Sequence, residues 1–99
     1  MQGLTAKKIA KIAKPILRPY QVQYLGLFGS VARGTASKKS DIDLLVKMKK
    51  VPGLVGLIRL EENLGRAFGK KVDLVFKDSV TPRLKPYIEQ DLITLYENR

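Results

Sequence analysis

Residues 26–46, GLFGSVARGTASKKSDIDLLV, decide the fold, because they hold the end of one apolar run, a small-residue turn, a polar loop and the start of a second apolar run. Residues 22–28 are nearly continuous in apolar character, the pattern of a strand covered on both faces. Residues 41–47 read as a second strand, and its first positions carry Asp41 and Asp43. Side chains two apart on a strand leave from the same face, about 6–7 Å apart along it. Aspartate is a poor strand former and like charges repel, so a pair embedded beside Ile42, Leu44, Leu45 and Val46 calls for something positive between its members. The plainer alternative is two exposed carboxylates at a strand start, neutralised by water or lysine.

Between the strands, Gly29-Ser30 opens the segment 29–34. By itself Gly-Ser is an ordinary turn. Glycine also lets the backbone approach a ligand closely, and turn amides with a serine hydroxyl suit phosphate.

Outward from this centre, Thr5 is placed to cap a helix running to Leu17, disturbed near its end by Pro15 and stopped by Pro19. Its Lys7, Lys8, Lys11 and Lys14 lie opposite Leu4, Ile9, Ile12 and Ile16. Residues 53–68 place Leu54, Leu57, Ile58, Leu64 and Phe68 at helical intervals, with Gly69 as the stop. Residues 71–76 read as a third strand containing Asp73. Residues 84–96 put Leu84, Tyr87, Ile88, Leu92 and Leu95 on one helical face. The order α-β-(short α)-β-α-β-α predicts an α/β (α+β) layered fold, a small sheet with helices packed on it.

Ninety-nine residues suit one domain, residues 1–99. No apolar run approaches a bilayer span and the lysine-rich start is no signal peptide, so membrane partners are not expected and the cytoplasm is the default. With neither cysteine nor histidine, zinc sites, thiolate nucleophiles and serine–histidine relays are excluded, and any metal must be held by oxygen. Mg²⁺, Mn²⁺ or Ca²⁺ fits that donor set. The net charge of +10 is lopsided: residues 1–50 carry eleven basic against two acidic side chains. That half suits an anionic partner, whether nucleotide, nucleic acid or acidic protein, although a basic helix face is often merely solvated.

Gly29-Ser30, ten intervening residues and Asp41-Ile42-Asp43, followed by Asp73 in Lys71-Val72-Asp73-Leu74-Val75, resemble the nucleotidyltransferase fold of the DNA polymerase β superfamily. The resemblance is strongest to the minimal nucleotidyltransferases, the MNT or MntA-like proteins, and covers about residues 22–76. It implies a short mixed sheet flanked by helices. It also implies that Asp41, Asp43 and Asp73 are catalytic and hold two Mg²⁺ ions, with Mn²⁺ as a substitute. Gly29 and Ser30 would contact the β- and γ-phosphates of ATP, with Ser40 adding a nucleotide contact; Arg33, Lys38 and Lys39 would neutralise phosphate charge or, equally, form an exposed basic loop. Read without the family, Asp73 could equally take a structural salt bridge from Lys70 or Arg66.

Larger members of the superfamily carry an additional domain for the acceptor, for which these residues leave no room. The resemblance therefore implies a separate acceptor, a HEPN-domain toxin, silenced by transfer of AMP to a tyrosine in a toxin–antitoxin pair. Two other readings stand beside this adenylyltransferase: an antitoxin acting by stoichiometric contact, and a nucleotide- or nucleic-acid-binding module. The last lacks a stacking platform or helix-turn-helix pattern. Apolar helices at both ends leave homodimer and hetero-oligomer equally open.

Overall fold

The computed structural model describes residues 5–37 and 40–98. Four strands form one mixed sheet: β1 (Val22–Phe28), β2 (Ile42–Met48), β3 (Val72–Phe76) and β4 (Ile93–Glu97), in the order β3-β2-β1-β4. β1 runs antiparallel to both β2 and β4, whereas β2 and β3 are parallel. The central position of β1 explains its buried run from Tyr24 to Leu27. The parallel step needs a crossover, supplied by the helix between β2 and β3.

Helix α1 (Ala6–Leu17) begins at Thr5, whose hydroxyl accepts the Lys8 N–H at 3.2 Å. It passes through Pro15 on its exposed side, and a 3₁₀ turn at Arg18–Tyr20 ends it. Its core stripe is Ile9, Ala13 and Leu17; Ile12 and Ile16 pack only partly, and Leu4 falls outside the described residues. Helix α2 (Gly29–Arg33) is short, and α3 (Leu54–Phe68) buries Leu60, Leu64 and Phe68, with Leu57 beside them. The expectation that Leu54 and Ile58 join this face is corrected: they are 76% and 48% exposed, because they fall off the 57-60-64-68 stripe.

The region 84–96 is not one helix. Helix α4 (Lys85–Asp91) stops at Leu92, which is extended (φ −66°, ψ 126°), and β4 follows. Leu92 and Leu95 fit a helical spacing, but in the extended chain they face opposite layers of the core. The β-branched and aromatic residues of Ile93-Thr94-Leu95-Tyr96 favour a strand, and the open second edge of β1 supplies its hydrogen-bond partners.

Strand alternation sorts the core into two layers. Leu25, Leu27, Ile42, Leu44, Val46, Val72 and Leu74 face α1 and α3. The opposite face is covered more thinly, by Tyr24, Leu45 and Ile88 with Phe28, Val75, Val80 and Leu92 around them. Odd-numbered residues of β2 and β3 emerge on this second face, which is where Asp43 and Asp73 belong. Among the described residues no helix is long and apolar enough to cross a membrane.

Candidate active site

β1 ends at Phe28, directly opposite Asp43 in the antiparallel register. The chain then turns through Gly29 at φ +79° into α2, and Gly34, also left-handed, closes that helix by donating its N–H to the Ser30 and Val31 carbonyls. Gly29 is required twice over. Its φ disfavours a side chain, and a Cβ there would collide with Asp43 Oδ2 and lie 3.1 Å from Asp43 Cγ. The Asp43 carboxylate is thus packed against the turn that carries Ser30. The Ser30 carbonyl also accepts the Thr35 N–H at 3.0 Å, which folds the following loop back over α2.

Asp73 sits beside Asp43 in the parallel register of β2 and β3, so both side chains leave the same face. Asp41 immediately precedes β2, in the same alternation. Burial lifts the Asp43 carboxyl above its ordinary value; the negative charges of Asp73 and Asp41 push it the same way, and Arg33 opposes them. Asp43 is half-buried and Asp73 exposed.

The expectation of three carboxylates gathered as a metal cage differs from the structure: among the described residues, no group of three acidic side chains is drawn close enough to hold an ion unaided. The residues nonetheless fit a hard divalent cation. Mg²⁺ ordinarily uses one or two carboxylates and completes its shell with water and substrate phosphate, and the burial and like charges that raise the Asp43 carboxyl are effects a cation would oppose.

The basic and polar residues of the intervening segment have partners within the fold. Arg33 Nη1 donates to Asp91 Oδ2 at 2.7 Å, tying α2 to α4. Asp91 is the less exposed partner, at 14%, and anchors the pair. Ser40 Oγ accepts the Ser37 N–H at 2.9 Å, so its hydroxyl pins the loop. Lys38 and Lys39 lie outside the described residues.

The structural salt bridge considered for Asp73 is not made by either candidate lysine or arginine. Lys70 Nζ instead donates to the Ser37 carbonyl at 2.8 Å and the Ser40 carbonyl at 3.2 Å, holding the loop that delivers Asp41. Arg66 turns to Asn63 Oδ1. Sequence reasoning missed Lys70 and Asp91 in these roles, and also Glu61 of α3, whose Oε2 accepts the Leu74 N–H at 2.9 Å. β3 is an edge strand, so this contact satisfies a backbone donor next to Asp73. No local pattern signals any of the three, since each joins residues brought together only by the tertiary fold.

Comparisons with known proteins agree with this geometry. The family model described as a nucleotidyltransferase domain matches residues 7–95. A protein of Thermococcus cleftensis named protein adenylyltransferase MntA is 34% identical over 97 residues, covering 94% of this chain and 98% of that protein. A Methanocaldococcus jannaschii protein, provisionally named a protein adenylyltransferase, is 42% identical over 89 residues, covering 88% of this chain and 91% of its own length. Among solved structures, a toxin–antitoxin complex with AMP-PNP contains a chain that superposes with a TM-score of 0.78 at 26% identity, covering 91% of this chain and 74% of that one. With the family model spanning nearly its whole length and the signature residues converging at one end of the sheet, this chain belongs to the nucleotidyltransferase domain family.

Proposed function

We propose that residues 1–99 form one adenylyltransferase module that moves AMP from ATP onto a tyrosine of a separate protein, a HEPN-type toxin, and acts as its antitoxin. The observation that carries this reading is the packing of Asp43 against Gly29 on one side and its register with Asp73 on the other. The Gly29-Ser30 turn and the paired carboxylates occupy one end of the sheet. Support for the protein acceptor comes from relatives named protein adenylyltransferases and from the toxin–antitoxin neighbour whose structure contains AMP-PNP.

In this mechanism the acceptor oxygen attacks the α-phosphorus of ATP, the bond from the α-phosphorus to the oxygen bridging the β-phosphorus breaks, and pyrophosphate departs. Gly29 would present its backbone, and Ser30 its hydroxyl, to the β- and γ-phosphates, while the missing Cβ lets Asp43 lie against the same turn. Asp41 and Asp43 would hold Mg²⁺ together with the triphosphate, and Asp73 a second ion. When bound, such ions lower the barrier by neutralising the charge that develops on the phosphoryl and leaving oxygens. Asp73, exposed at the sheet edge, would alternatively accept the proton of the incoming hydroxyl. Arg33, anchored on Asp91, keeps a positive charge near Asp43 and favours its ionised form.

The test is transfer of label from α-³²P-ATP in Mg²⁺ to a coexpressed genomic neighbour, comparing the wild type with Asp43→Asn. A labelled partner band that disappears in the variant is the expected result. A partner that is captured but never labelled by the wild type overturns the transfer reading and leaves an antitoxin that works by contact.

A further inference from the structure

At the end of the sheet away from these carboxylates lies a cavity of about 380 Å³ whose lining has no acidic residue among those described. Phe28 and Asp43 pair at one end of the β1–β2 ladder and Val22 and Met48 at the other. Six residue steps of strand therefore separate the two regions, on the order of 20 Å. The cavity gathers Lys14 and Arg18 from the end of α1 and Lys49 from just beyond β2. Tyr96 of β4 forms part of the wall, with Lys14 Nζ 5.7 Å from its ring centroid. Leu17 and Leu25 supply an apolar floor.

Two backbone irregularities coincide at this place. Gln21 adopts the left-handed conformation (φ 52°, ψ 61°), the only non-glycine residue with positive φ among those described. Glycine would adopt it with less strain, yet a long amide side chain is kept there and lines the cavity. The β1–β2 register also shifts between Val22 and Tyr24, and Gln23, on the strand face of Leu25, lines the cavity as well. Gln21 and Gln23 thus add two amides to a wall already holding three cations and an aromatic ring.

We propose that this cavity is a second ligand site, distinct from the transfer site, that takes a nucleoside phosphate. Arg18 and Lys49 supply charge for the phosphate, Tyr96 with Lys14 beside its ring an aromatic, cationic wall for the base, and Gln21 and Gln23 hydrogen-bonding groups for a base edge or ribose. The volume lies near the small end of ligand pockets, about 300–1,000 Å³, which suits one nucleotide unit. Stacking on an aromatic ring beside cations tolerates any base, so the unit can be a free mononucleotide or one residue of an RNA strand. The inference does not depend on the transfer reaction, because no residue of the cavity belongs to the other site.

The experiment is a titration of the full ¹⁵N-labelled chain with AMP, followed by ¹H–¹⁵N correlation spectra in EDTA so that metal-assisted phosphate binding at the carboxylate end is suppressed. Saturable shifts at the amides of Gln21, Gln23, Lys49 and Tyr96 are expected, with affinity reduced at least tenfold in both Lys49→Glu and Arg18→Glu. Both side chains are exposed, so the variants should melt as the wild type does, and Lys49→Ala provides a milder check. Shifts confined to residues 29–34, absence of shifts, or shifts unchanged in the charge-reversed variants would overturn the proposal. A pentanucleotide binding at least tenfold more tightly than AMP at the same amides, with steep salt dependence, identifies an RNA strand as the source. Equal or weaker binding of the pentanucleotide identifies the free nucleotide.

Discussion

The carboxylate of Asp43 rests against the backbone of Gly29, where any Cβ would strike its Oδ2. Gly29→Ala must therefore either displace Asp43 or open the β1–α2 turn. The left-handed φ of +79° adds about 1–2 kcal/mol of strain for a non-glycine residue. We expect a moderately lower melting temperature but a loss of transfer of about 100-fold or more, since Asp43 can move aside only by leaving its working position. Paired thermal melts and rate measurements check this; a variant of normal activity would show that the contact is incidental.

Charge at Asp43 opposes folding, with the sign fixed by the direction of its shift. Burial and the neighbouring Asp73 and Asp41 raise the folded-state value above the reference of 3.8, so the native chain binds more protons than the unfolded one in that window. Stability from this group is full below the unfolded value and is lost as pH rises through the folded value. Asp43→Asn should consequently raise the melting temperature at pH 7 and leave it nearly unchanged at pH 3, while abolishing transfer. Solvent screening keeps the gain small.

Arg33 is the positive group that opposes the shift of Asp43. Removing it in Arg33→Ala should move the acid limb of the activity–pH profile upward, because Asp43 then ionises at higher pH. Loss of the 2.7 Å pair with Asp91 should lower stability by under about 1 kcal/mol, as for partly exposed ion pairs. Asp91→Asn removes the same ion pair but leaves the positive charge on α2, so its acid limb should stay at or below the wild-type position.

Glu61 guards the outer edge of β3 through its 2.9 Å contact with the Leu74 N–H. Glu61→Ala leaves that donor to solvent, at a loss of about 1.5–3 kcal/mol typical of a hydrogen bond to a charged group. Hydrogen exchange should accelerate at Leu74, and activity should fall modestly as the strand carrying Asp73 loosens. Unchanged exchange at Leu74 would count against this role.

How much of this site could be read from sequence depended on the range of the interaction. Asp41, Asp43, Gly29 and Ser30 are tied by strand periodicity and a turn, so their placement at one sheet end was legible from neighbours in the chain. β4 was not, because Leu92 and Leu95 satisfy a helical period, and the strand preference of Ile93-Thr94-Leu95-Tyr96 decides only once the open edge of β1 supplies partners. Arg33 was expected at phosphate; its fixed partner Asp91 lies 58 positions away, beyond any local pattern. Lys70 and Glu61 are similar, serving backbone groups of segments distant in sequence.

The one-to-one register of Asp43 with Asp73 also bears on which misfolded forms can persist. Sliding β3 by a single residue would turn Asp73 toward the α1/α3 layer and expose Val72 and Leu74, the residues that now fill it. A charge in that apolar layer and two apolar side chains in water make the slipped isomer unable to compete. Molecules that pass as folded should then carry the carboxylates in alignment, and preparations should not contain a long-lived inactive fraction of native-like shape.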